Sequence, residues 1–235
     1  MSLKITNWKV VITRTLWVIL GILLLVFIIR TSVWEHEYYT SKEGSERVVV
    51  EKAETVEVDE SDVTEQQVQE YTVAPDRPRY ITMEKLNIHS ARVIAVGLKA
   101  NSELGTPNNI FDVGWYDASG KPGYGGTLLL DGHNGGPTRV GIFKYLPMLS
   151  ARDEASGKAG DIISIERGDG AIFNYEVIEN ITVPLDEADA YMATAMKSPI
   201  AGMESLSMIT CTGEWSDARS TYLSRQFVRA VLVAQ

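Results

Sequence analysis

Between positions 79 and 235 the chain carries seven short apolar runs separated by turn residues, and this pattern limits the fold more than any other feature. Tyr80-Ile81 opens a run reaching Leu86-Asn87-Ile88. Ala91–Val96, Gly126–Leu130, Asp161–Glu166, Ala171–Ile178, Ser207–Cys211 and Gln226–Val233 follow. Ala171–Ile178 alternates apolar and polar residues well, which is the period of a half-buried strand. Gly168-Asp169-Gly170 predicts a hairpin between two of the runs. Helical candidates are few, Gly141–Ser150 and Leu185–Lys197. Many short strands with few helices point to an all-β closed barrel or sandwich, and 157 residues suffice for one core.

Two unlike segments precede this region. Thr15–Ile29 is an uncharged run of fifteen residues, shorter than the ~20 that cross a bilayer. Arg14 and Arg30 can extend their heads to the interface, which makes a span of roughly twenty residues available. No small-residue cleavage site follows, so the run reads as an uncleaved transmembrane anchor over residues 1–34. Lys4, Lys9 and Arg14 before it, and Glu35 and Glu37 after it, place the N-terminus in the cytoplasm and the rest outside. Residues 35–78 hold thirteen acids and four bases, a net charge of −9 equal to that of the whole chain. Their valines stand isolated among acids, so this stretch reads as a solvated acidic linker. Pro75 and Pro78 mark its end.

The composition excludes several functions. The acidic balance argues against nucleic acid as a partner. One cysteine allows no intrachain disulfide and no multi-cysteine metal site. His36, His89 and His133 are too few and scattered for a zinc cage, and Thr40 stands where H-E-x-x-H needs its second histidine. The glycines near Lys121 do not form a phosphate loop, because Trp115 and Pro122 occupy required positions.

Cys211 ends the Ser207–Thr210 run, and Thr212–Asp217 reads as a loop, so the thiol is expected where a strand stops. A lone cysteine is commonly buried and inert, yet an unpaired one is unusual outside the cell. His133 follows Leu128–Leu130 and a glycine that permits close approach. An imidazole near Cys211 could form a Cys–His pair and protonate a leaving amine. An arginine beside the thiol would favour the thiolate and hold an oxyanion. Arg219, Arg225 and Arg229 are available. Arg225 comes alongside the thiol if the last two strands are antiparallel neighbours, although strand parity alone does not separate it from Arg229. The three groups are expected at one mouth of a barrel.

Taken together these residues resemble the sortase family of membrane-anchored cysteine transpeptidases. The resemblance runs through Pro107-Asn108, Gly114-Trp115-Tyr116, Lys121–Gly126, Leu130-Asp131-Gly132-His133, Gly141-Ile142-Phe143 with Leu146, Gly160–Ile163, Ser207–Cys211 and Arg225–Ala230. Ser207-Met208 depart from the family's T-L-x-T-C, while Thr210-Cys211 match it. The resemblance implies a closed barrel of about eight strands with one or two short helices. It implies cleavage of an L-P-x-T-G-like sorting signal of secreted proteins and transfer to an amine of peptidoglycan or a pilin lysine. Cys211 would be the nucleophile, His133 the acid/base, Arg225 the oxyanion holder, and Thr210 a substrate-positioning hydroxyl. No cofactor or metal is required. Some relatives bind calcium, and Asp186, Glu187 and Asp189 are clustered acids, but a solvated helix start explains them. A thiol peptidase releasing to water, or a tethered non-catalytic binding domain, are the alternatives. The implied location is the cell membrane of a Gram-positive-type bacterium, with the catalytic domain extracellular.

Overall fold

The computed structural model describes residues 58–99 and 104–233. The expected membrane anchor and most of the acidic linker lie outside the described residues. Among the described residues no helix is long and apolar enough to cross a membrane.

Eight strands form: β1 (Pro78–Met83), β2 (Ile88–Val96), β3 (Val113–Tyr116), β4 (Thr127–Gly132), β5 (Ile162–Arg167), β6 (Ile172–Pro184), β7 (Ser205–Ser216) and β8 (Thr221–Leu232). They close into a barrel in the order β1-β2-β3-β4-β7-β8-β6-β5. The pairs β2–β3 and β4–β7 are parallel and the other six antiparallel. Among the described residues there are also two short α-helices, α1 (Glu65–Glu70) and α2 (Leu185–Ala195). The all-β closed barrel expected from sequence is therefore present.

Strand alternation sorts the side chains. Leu128, Leu130, Leu206, Met208, Val228 and Ala230 join Trp115, Ile81, Ile165 and Tyr175 in the barrel interior. Their neighbours Leu129, Asp131, Ile209, Cys211 and Arg225 face the outer side of the wall, because successive Cβ atoms point to opposite faces. There α2 packs, burying Ala188 and Ala195 with Val183 and Phe227.

Several local expectations change. The run from Tyr80 to Ile88 is two strands, broken by a 3-10 turn at Glu84–Leu86 and by Asn87 in the left-handed region (φ 54). Gly141–Ser150 is not a helix but holds one 3-10 turn, Leu146–Met148, with Pro147 withholding a backbone donor. The hairpin at Gly168–Gly170 forms as expected, with Gly170 at φ +87.

The acidic stretch is not wholly a solvated stalk, since from Asp59 onward it lies on the barrel. Thr64 and Gln67 form a reciprocal capping box that starts α1. Tyr71 donates its hydroxyl to the Val93 carbonyl at 2.6 Å, and Asn109 donates to Asp59 and to the Ser61 carbonyl. The Glu60 carboxylate accepts from the backbone N–H groups of Thr138 and Arg139, at 2.9 and 3.0 Å. These carboxylates have backbone and amide donors to accept, which charge counting along the sequence does not reveal.

Candidate active site

β7 runs on through Cys211 to Ser216, where sequence reasoning expected a loop, because β8 continues as its antiparallel partner. Cys211 is paired directly with Arg225 across this ladder. A bulge follows between Thr212 and Trp215, with Gly213 at φ +85. On the other side, β4 pairs with β7 in parallel as far as Asp131 opposite Ile209. Cys211 is two residues beyond that pair on β7, and His133 is two residues beyond it on the chain that leaves β4. Cys211 and Arg225 therefore lie side by side on β7 and β8, and His133 follows the end of β4. The Cys211–Arg225 pair lies on the outer face of the wall rather than at a mouth of the barrel.

A cavity of about 810 Å³ opens over the Cys211–Arg225 pair. Its floor includes Leu129, Asp131, Ile209, Cys211 and Arg225, and one side is α2 through Leu185, Ala188 and Met192. Leu98, Leu104 and Thr106 form the opposite rim. The lining thus combines aliphatic side chains with the polar groups of Thr106, Asp131, Asp189 and Arg225, a mixture typical of ligand clefts.

Cys211 is half-buried and unpaired. Burial pushes its thiol above the ordinary range; the Arg225 charge works against this, and Asp131 adds to it. Arg225 donates to the carbonyls of Tyr222 and Ser224, both at 3.0 Å, and to Thr221 Oγ1 at 3.2 Å. Its charge has no carboxylate partner within 4.0 Å among the described residues. The other two arginines are engaged elsewhere. Arg229 is buried, 2.7 Å from Glu179, and Arg219 pairs with Asp186 at 2.7 Å. The structure thus separates what parity left open.

His133 does not line the cavity. Its Nε2 lies 2.7 Å from the Pro107 carbonyl, and because a carbonyl only accepts, Nε2 carries the proton there. Nδ1 is then the nitrogen available for proton exchange. The close approach expected at Gly132 is real: a Cβ there would stand 2.6 Å from the Phe143 ring.

Thr210 faces away from the sulfur. Thr210 is among the residues lining the cavity, and its hydroxyl, in a residue 2% exposed, donates to the Gly132 carbonyl at 2.7 Å and ties β7 to β4. Of the clustered acids, Asp186 is held by Arg219. Among the described residues no group of three ligand-type side chains stands close enough to hold a metal.

Asp131 went unassigned in the sequence reading. It sits on the cavity floor, with a hydrogen bond from the Thr106 side chain, and burial drives its carboxyl upward. An acid closing the apolar run Leu128–Leu130 was the available signal.

A closed barrel with a half-buried thiol paired across its ladder with an arginine, on the floor of a cavity, defines a thiol-centred barrel protein. The sortase domain model matches residues 81–233, and the chain belongs to the sortase family of cysteine transpeptidases. Solved structures similar to it include a Clostridium perfringens sortase D5 transpeptidase, 19% identical, with 74% of this chain and 91% of that one covered and a TM-score of 0.42. Another is sortase C-1 of Actinomyces oris, 22% identical, covering 77% and 86%, with a TM-score of 0.46. A comparison with curated protein sequences gives no match.

Proposed function

We propose that the chain cleaves an LPXTG-like sorting signal of secreted proteins after its threonine and joins the acyl group to an amine of peptidoglycan or a pilin lysine. The observation that carries this is the direct Cys211–Arg225 pairing on the cavity floor. In this reading the Cys211 thiolate attacks the threonine carbonyl carbon. The oxyanion forms beside Arg225, whose guanidinium has no competing carboxylate. The C–N bond breaks as the leaving amine takes a proton from the His133 imidazolium, leaving a thioester and a neutral ring. An incoming amine then loses a proton to His133 and forms the new amide, releasing the sulfur. For this the imidazole turns from Pro107 toward the sulfur, as catalytic contacts often tighten only when substrate is bound. The acyl chain lies against Leu129, Ile209 and the α2 wall.

The uncharged run at Thr15–Ile29 would anchor the chain as a single membrane span with the barrel outside the cell. The reading asks for no organic cofactor or metal.

The test is incubation of the full-length chain in detergent with a sorting-signal peptide, with and without an amine acceptor, the products identified by mass. A ligated product that requires Cys211 supports the reading. Cleavage to the free acid alone, unchanged by acceptor, would show a thiol peptidase. Peptide binding without turnover that survives C211A would show a tethered binding domain.

A further inference from the structure

Asp131 is placed by three neighbours. On one side it pairs with Gly114 of β3, which has no side chain, and a Cβ at Gly114 would run into Pro107 at 2.9 Å. That gap lets the segment Thr106-Pro107 lie over the end of β4. Thr106 then hydrogen-bonds the Asp131 carboxyl, and Pro107 holds His133 through its carbonyl. On the other side Asp131 pairs with Ile209, so Cys211 is the next residue of β7 on the same face. The segment 106–107 thus fixes an acid and an imidazole at once, the acid sharing the cavity floor with the thiol.

The charges around the acid are few. Arg225 of β8 and Asp189 of α2 line the same cavity, Cys211 is its neighbour on β7, and His133 is two residues along its own chain. Lys99, from the segment after β2, attracts it from a distance. An ionised carboxylate here opposes a thiolate on Cys211 and attracts an imidazolium on His133, two effects of opposite sign on the pair.

We propose that Asp131 is a positioning residue of the thiol site, a third proton-holding group whose carboxylate opposes the Cys211 thiolate and so governs when the sulfur becomes a nucleophile. This rests on Cys211 as the reactive thiol of the proposed reaction. Burial already raises the thiol, and Asp131 adds to that effect. Arg225 favours ionisation from one side and Asp131 restrains it from the other.

The test is the pH profile of Cys211 alkylation by iodoacetamide in the full-length protein, followed by mass. D131N keeps the size and an acceptor for Thr106 but removes the charge. The midpoint should move to lower pH, with the rate at neutral pH rising on the order of tenfold. The plateau rate at high pH should fall slightly, because a more acidic thiol is a weaker nucleophile. D131E should restore a midpoint near the original. T106V withdraws the hydrogen bond that favours the ionised acid, so it should shift the midpoint the same way by less. It also serves if D131N does not fold. An unmoved midpoint in the folded variants, or one that D131E shifts as far as D131N, overturns the proposal. The readout is sulfur chemistry rather than peptide exchange. A chain that proves not to ligate peptides but shows these shifts refutes the proposed function and leaves this inference standing.

Discussion

The Thr210 hydroxyl reaches the Gly132 carbonyl at 2.7 Å, one residue beyond the last ladder pair between β4 and β7. Each partner immediately precedes a site residue, Cys211 in one case and His133 in the other. A single hydrogen bond thus stands where backbone pairing stops, and it carries the alignment of two parallel strands one residue further, up to Cys211 and His133. The interior face of the wall supports the chemistry of the outer face.

T210V should therefore act on both stability and turnover. It leaves the Gly132 carbonyl buried without its donor, at a cost of about 1–2 kcal/mol, a fall of roughly 2–8 °C in the thermal midpoint. The peptide-cleavage kcat should fall with little change in KM, while T210S stays near the starting protein. Calorimetry and steady-state kinetics check this. Equal loss in T210S would show that shape, not the hydroxyl, matters.

Arg225 should separate charge from geometry. R225A removes the cation that favours the thiolate, so the Cys211 alkylation midpoint should rise. It should also lower kcat about 10²–10³-fold, the usual cost of losing an oxyanion donor. R225K retains a charge without the planar fork. Its alkylation profile should stay close to the original while peptide turnover still falls.

Acid stability should depend on Glu176. Its carboxylate accepts from Arg152 and from the Gly160 N–H, and both contacts hold it below the ordinary glutamate value of 4.5. A group depressed in the folded state adds stability above its unfolded value and loses it as pH falls through the folded one. E176Q should be less stable by about 1 kcal/mol at neutral pH, since the pair faces solvent on the Arg152 side. The gap should close below about pH 4.5. Urea unfolding at several pH values reads it directly, and a gap that persists at low pH would assign the loss to packing.

Removing residues up to 78 should destabilise the barrel. It deletes the Glu60 contacts to Thr138 and Arg139, the Tyr71 bond to Val93, and the Tyr71 carbonyl that accepts from Arg79. A chain beginning at 58 should melt roughly 5 °C or more above one beginning at 79, at about 1 kcal/mol per lost bond. Identical melting would mean that the segment merely rests on the surface.

Much of the barrel was legible because its strands are written in alternating or continuous apolar residues. β5 and the hairpin after it appear nearly as read, β6 runs six residues past Ile178 to Pro184, and α2 keeps its start at Leu185. β3 was missed since four residues, Val113–Tyr116, are too few to show a period, and its pairing with β2 is a parallel match made across a loop. α1 was hidden by acidity, although Thr64-Glu65-Gln66-Gln67 carries a capping-box pattern that periodicity does not weigh. The pairing of Cys211 with Arg225 was reachable only as a conditional, because register is a property of two strands and neither encodes it alone. The outer-face position of the Cys211–Arg225 pair follows from alternation once Met208 and Val228 are known to be interior. No local pattern says which face of a buried strand is which.

The far end of the β7–β8 arm meets α2 through Arg219 and Asp186, whose side chains are 50% and 77% exposed. An ion pair so wetted contributes little and weakens with salt. The hairpin tip and the helix that walls the cleft are therefore fastened by something thermal motion can undo.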